Sequence, residues 1–345
     1  MNFYWSVYEA LEEETLALAD NILFNDKQLD VYSVKIGNLI VRCAVEIEAL
    51  SKELYCSLGG EFMIFDEEKS KNRYPYFDTE CLDLLVKKWR IDKKKIQIVS
   101  SKMYFNQDNS LLTPLHKSNR ARDKGSLWNK AYQALKHNRT QSMEKATVRN
   151  LLNALEALYI LNLYYRNDSF WQNVPIESKE EYRTHSKIFS PFIYEVPGTL
   201  LESDENLKAR TDTPFDECIY LKKYTDESAN KILEFIYGLN LDFLLQTITS
   251  DEFLKYKQEY PDEQKIDNLI DFIKSIGLDF SEMLRKSRSS ITPPEVEVYR
   301  RKEIVLNKHQ QIYSSCEYKD FLETPKAKKM QEDRIRELNE RLRSL

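Results

Sequence analysis

A mainly helical fold is what this chain predicts, and three observations predict it. Only 7 glycines and 10 prolines are spread over 345 residues, too few for the tight turns and phosphate-cradling loops on which α/β nucleotide-binding folds depend. Apolar residues recur at spacings of three and four along several long stretches. A content of 42% hydrophobic residues, in a chain long enough for about two domains, supplies material for a substantial core.

Residues 4–22 place Trp5, Tyr8, Leu11, Leu16, Leu18 and Ile22 on a loosely helical period, giving a first helix. From Val34 to Tyr55, Ile36, Leu39, Ile40, Cys43, Ile47, Leu50 and Leu54 draw one continuous stripe over about six turns. Ser33 can cap its start and Gly59-Gly60 ends it. Arg42, Glu46 and Lys52 lie off the stripe and read as solvated i,i+4 pairs. Residues 61–80, polar and aromatic, read as a loop. A helix over about 79–90 carries Cys81, Leu84, Leu85 and Trp89 and ends near Lys93-Lys94-Lys95, a run expected to be an outlying solvated face. Segments 96–99 and 103–105 suit short strands, and 106–124 a loop containing Pro114. A helix over 126–138, a polar break at Asn138–Ser142 and a second helix over 144–165 follow. The second is apolar on nearly every side, so 147–165 should be the central rod of a bundle, packed on the Ile36–Leu54 stripe.

Beyond Arg166 the character changes. Segments 188–196 and 217–224 look like strands, and helices are expected over 226–247, 251–258, 263–287 and 295–318. Pro293-Pro294 marks a stop and Pro325 opens a charged terminal helix. There Ile335, Leu338, Leu342 and Leu345 span fewer than two heptads, enough to dock a partner or the protein's own body but not a coiled coil. A boundary near residue 175 divides a helical bundle at 1–170 from a mostly helical region with a few short strands at 176–345.

The net charge of −5 argues against a generic nucleic-acid binder, but its distribution is uneven. Residues 1–83 hold 17 acidic and 7 basic side chains, whereas 84–149 hold 4 acidic and 16 basic. A positive middle is either a solvated charged face or an anion-binding patch. The 5 cysteines are odd in number and never form a C-x-x-C pair, which points to neither a disulfide framework nor zinc. The acidic start lacks signal-peptide character and no apolar run approaches 18 residues, so a soluble, cytoplasmic protein without a membrane span is expected.

Four histidines limit the enzyme classes: His116, His137, His185 and His309. No H-E-x-x-H, P-loop, G-x-G-x-x-G or G-x-S-x-G occurs, leaving zinc peptidase, Walker ATPase, dinucleotide enzyme and serine hydrolase unsupported. Only Asp92, Asp108, Asp123 and Glu144 could serve a metal-dependent nuclease in the basic segment. What remains is KAYQALKHNR at 130–139. On a helix Lys130, Gln133 and His137 form a polar row, with Lys136 and Arg139 close by. Metal-free cleavage of a phosphodiester needs an acid/base group and cations for the charge developing on phosphorus; histidine supplies the first, lysine or arginine the second. The plain alternative is that His137 only ends a helix and favours its C-terminal dipole.

Two helices joined by LKHNR, preceded by the long helix with RCAVEIEALSKELY, resemble a HEPN domain, a helical-bundle family of bacterial toxins, abortive-infection proteins and RNA-guided nucleases. The resemblance covers roughly residues 1–170 and implies metal-independent cleavage of RNA without a cofactor, by a homodimer in whose cleft two motifs meet. It makes His137 the catalytic histidine and Gln133 the motif's polar residue, and puts Tyr132 where the family carries Arg. Lys130, Lys136 or Arg139 would then supply the charge. Two readings stand: an endoribonuclease of antiphage or toxin-like defence, or a non-catalytic module that binds nucleic acid or nucleotide or scaffolds a partner defence protein.

Overall fold

The structure, a computed structural model, describes residues 3–66, 69–116, 126–167, 170–173, 186–195, 215–260, 269–295, 301–309 and 321–344. The fold is mainly α: among these residues eleven helices stand beside strands of only two to six residues. The stretch about residue 175 lies outside them, as do the expected helix start at 263 and His185.

Helix α1 (Phe3–Ala19) and a two-residue strand β1 (Phe24–Asn25) lead to α2 (Val34–Ser57). The Ser33 hydroxyl accepts the Ile36 amide at 3.2 Å, the cap expected from its place before the apolar stripe. Gly59, at φ +88°, turns the chain away, and at Gly60 a Cβ would lie 2.2 Å from the Tyr55 ring. Where a loop was expected, strands β2 (Ile64–Asp66) and β3 (Lys71–Arg73) form an antiparallel hairpin. A π-helical turn at Phe77–Cys81 then runs into α3 (Leu82–Trp89). Strand β4 (Ile96–Ile98), β5 (Met103–Tyr104), a single turn of helix α4 (Gln107–Ser110) and β6 (Leu111–Leu112) follow.

Helices α5 (Leu127–His137) and α6 (Val148–Arg166) complete the bundle. The Thr147 hydroxyl accepts the Asn150 amide at 3.2 Å and caps α6. As its composition requires, α6 is buried on nearly all sides and packs on α1, α2 and α5. The Tyr159 ring stacks on Tyr8 at 5.2 Å, and Tyr164 stacks on Trp89 at 4.8 Å.

The remainder contributes to the same core. Strands β7 (Phe170–Asn173), β8 (Phe189–Pro191), β9 (Ile193–Glu195), β10 (Tyr220–Tyr224) and β11 (Arg301–Leu306) build two sheets, ordered β7-β11-β10-β9 and β6-β4-β8. Phe189, Ile219, Tyr220, Ile304 and Leu306 pack with the helical bundle in one apolar cluster. The Glu12 carboxylate, buried in α1, accepts from the Tyr8 hydroxyl at 2.7 Å and from the backbone amides of Lys187 and Ile188 at 3.1 and 3.2 Å, fastening the chain just ahead of β8.

The helix expected over 295–318 is contradicted, because residues 301–306 are β11, paired with β10 on one side and β7 on the other. Two ladders satisfy its backbone on both edges, which outweighs a local pattern compatible with helix. Helix α7 (Asp226–Ile248), α8 (Asp251–Glu259), α9 (Leu269–Ser275), α10 (Phe280–Ser290) and α11 (Pro325–Ser344) cover the rest. Gly277, at φ +85°, divides α9 from α10 where a single helix was expected. Helix α11 docks on α7, with Ala327 and Met330 against Leu233 and Tyr237 and Arg334 paired to Asp242 at 3.4 Å.

The triple-lysine run corrects a second expectation. Rather than a solvated face it is a clasp on residues 216–217: Lys93 pairs with the Asp216 carboxylate at 3.2 Å, Lys94 donates to the Asp216 carbonyl at 2.9 Å, and Lys95 pairs with Glu217 at 2.7 Å. Lys94 is fully buried, and that burial holds its ammonium down at about 8. Arg42 also departs from the expected i,i+4 pairing, reaching across to Glu14 of α1 at 2.6 Å.

Candidate functional site

Helix α5 is two-faced. Trp128, Ala131, Tyr132 and Leu135 are buried, and the Trp128 indole N–H donates to the Pro114 carbonyl at 2.9 Å, locking the helix onto the bundle. On another side Asn129, Gln133 and Lys136, spaced by four and three, line a groove of about 580 Å³. Glu48 and Lys52, one turn apart on α2, line it as well. The hairpin and its exit form the far wall with Lys69, Lys71, Arg73, Tyr74 and Tyr76, while buried Phe77 lies against Trp128.

The five motif residues therefore separate. Gln133 and Lys136 reach the groove; Lys130 and His137 are not among its lining residues. At about 100° per residue, 129, 133 and 136 span about 60° and face the groove, whereas 130 and 137 lie about 80–100° from 129, toward the flank, so the groove takes 129-133-136 rather than the expected 130-133-137 row. His137 is the last residue of α5 and exposed, one position beyond Lys136. Arg139 hydrogen-bonds Asn38 of α2. Tyr132, which the resemblance to a HEPN domain pairs with an arginine, is only 4% exposed, and its ring lies 5.4 Å below the Lys136 ammonium. It supports a groove cation rather than presenting a group of its own.

The hairpin wall is rigidified from within. Arg73 makes a two-pronged contact with Glu80 at 2.7 and 3.2 Å, pairs with Asp66 at 3.3 Å and lies 4.3 Å over the Tyr76 ring. The Arg73 guanidinium, with the Tyr76 amide and the Thr79 hydroxyl, pulls the Glu80 carboxyl down to about 2. Arg73 is thus occupied, and the cations turned to the groove are Lys52, Lys71 and Lys136, with Lys69 3.8 Å from Asp66. Tyr74 and Tyr76 are 54% and 49% exposed, and the Arg73 guanidinium covers one face of the Tyr76 ring.

Most of these cations come from the acidic segment 1–83. The basic segment contributes Lys136 and spends part of its remaining charge on the clasp, on Lys102–Asp20 at 2.6 Å and on Arg149–Asp30 at 3.6 Å. Sequence reasoning missed Glu48, Lys52, Asn129 and the hairpin; the signal available was the interleaving of Lys69, Lys71 and Arg73 with Phe65, Tyr74 and Tyr76. Among the described residues no helix is long and apolar enough to cross a membrane, no three His, Cys, Asp or Glu side chains gather to hold a metal ion, and Cys43, Cys56, Cys81 and Cys218 are free thiols. Compared with protein-family models, curated proteins and solved structures, the chain matches none.

Proposed function

We propose that this protein binds single-stranded RNA in the groove between α2, α5 and the β2–β3 hairpin, and cleaves it without metal as a HEPN-type endoribonuclease of antiphage or toxin-like defence. The carrying observation is the lining: lysines at 52, 71 and 136 beside exposed Tyr74 and Tyr76. Cations that follow a phosphate backbone and rings on which bases stack are the two requirements for holding a single strand. His137, exposed at the end of α5 next to Lys136, is the acid/base group in this reading, and Lys136 neutralises the charge that develops on phosphorus. Attack of a 2′-hydroxyl on the adjacent phosphate would leave a 2′,3′-cyclic end. One histidine per chain provides an acid or a base but not both, so a homodimer supplies the second.

The burial of Tyr132 favours a second reading, a binding module that has lost cleavage, because no arginine occupies that position. Incubating purified protein with total RNA in EDTA decides between them. Wild type should cleave, His137→Ala should lose cleavage at least a hundredfold while still binding, and light scattering of the active protein should give twice the 41.0 kDa chain mass. RNA bound but left intact by the wild type favours the binding module, and cleavage surviving in His137→Ala overturns the assignment of that residue.

A further inference from the structure

We infer that Phe62, standing edge-to-face against Tyr74 at the mouth of the groove, is a further stacking site, on which the RNA strand lays a base as it leaves the lysines. This rests on the RNA reading above and adds to it the path by which the strand leaves the groove.

The β2–β3 register brings the two rings together. Ile64 pairs with Arg73, so the chain entering β2 and the chain leaving β3 run side by side at the open end of the hairpin, with Phe62 and Met63 on one and Tyr74 on the other. There the Phe62 and Tyr74 rings meet at 5.2 Å and 84°. An edge-to-face contact of this kind holds each ring in a set orientation. Phe62 is 66% exposed, Met63 40% and Tyr74 54%, so most of this ledge stays open to water. A single exposed apolar side chain needs no explanation; a cluster at the edge of a charged groove marks an interaction site.

Continuity with the groove names the occupant. Tyr74 belongs to both, lining the groove together with Lys52, Lys71 and Lys136 while touching Phe62 outside it. Whatever those cations hold therefore passes the ledge. At about 580 Å³ the groove has the size of a site for one small ligand, and it holds only a short stretch of a strand. The next nucleotide lies at the rim, where its base meets an aromatic ring and not water. Every base has a π-face, so the ledge lengthens the footprint and raises affinity without adding a sequence preference.

The test uses the full-length chain carrying His137→Ala, so that binding is measured without cleavage, and a fluorescent uridine 4-mer and 11-mer. Adding Phe62→Ala should weaken 11-mer binding about tenfold and leave the 4-mer within about twofold, because only the longer strand reaches beyond the groove. Phe62→Trp should keep the 11-mer affinity. Phe65 is 60% exposed on the same hairpin, but strand alternation turns it to the face opposite groove-lining Asp66, so Phe65→Ala should change neither affinity. An 11-mer bound equally well after Phe62→Ala, or an equal loss for both oligomers, overturns the ledge and leaves the RNA reading standing. No binding of either oligomer by the parent overturns both. If Phe62→Ala breaks a dimer in light scattering while 11-mer affinity holds, the ledge is a contact between two copies of the chain, and that too overturns the proposal.

Discussion

Glu156 is the residue least expected in the middle of α6. It is fully buried, and neither carboxylate oxygen has a hydrogen-bond partner. Burial raises its carboxyl well above the ordinary 4.5, so the folded protein keeps the proton. The unfolded chain releases that proton above about 4.5, which makes the unfolded state gain as pH rises; stability therefore falls from about pH 4.5 upward until the folded carboxyl also ionises. Glu156→Gln removes this dependence. Its melting temperature should exceed that of the wild type by a margin that grows between pH 5 and pH 8, and parallel profiles would contradict the assignment. At this scale the sequence was legible wherever the cause was local. Ser33 caps the helix it precedes, and α5 ends at His137, one residue short of the expected 138, whereas Thr147, inside the helix expected from 144, is the cap of α6. Asn129 was not legible, because only the hairpin, brought up from residues 64–73, turns it from one more polar helix residue into part of a groove.

Elements were legible in kind more than in partnership. The stripe of α2 and the all-round apolarity of α6 specify a buried pair, and the two helices pack together. Strand β11 was not, since its pairing with β10 and β7 joins residues about 80 and 130 positions apart, and no local period encodes that. The same holds for the lysine clasp. Asp216, its carboxylate nearly buried, takes Lys93 on one oxygen and the His309 ring at 3.0 Å on the other, tying α3's exit to the segment after β11. Asp216→Ala should cost about 1–3 kcal/mol by leaving those donors without their acceptor. Lys93→Ala, at a side chain 43% exposed, should cost less than about 1 kcal/mol because solvent already screens it. Urea denaturation compares the two; a midpoint for Asp216→Ala equal to that of the wild type would show that the clasp contributes nothing to stability.

For the whole molecule, charge counted along the chain does not locate the lysine-lined groove. Of the positive segment 84–149, Lys93, Lys95, Lys102 and Arg149 are answered by acids of the segment before it and of residues 216–217, and the groove draws Lys52, Lys69, Lys71 and Arg73 from the part of the chain with the most negative balance. Net charge by segment describes neighbours in sequence, whereas a binding surface collects neighbours in space. That the groove is where RNA binds is the central claim, and the salt dependence of affinity for a single-stranded 11-mer tests it most directly. Each phosphate neutralised contributes about −0.7 to the logarithmic slope. Lys52→Ala, Lys71→Ala and Lys136→Ala should each weaken binding and flatten the slope by about that amount, while Lys102→Ala, in the basic segment but paired with Asp20 outside the groove, should change neither. Flattening by Lys102→Ala, with the three groove lysines silent, would place the RNA elsewhere and contradict the account.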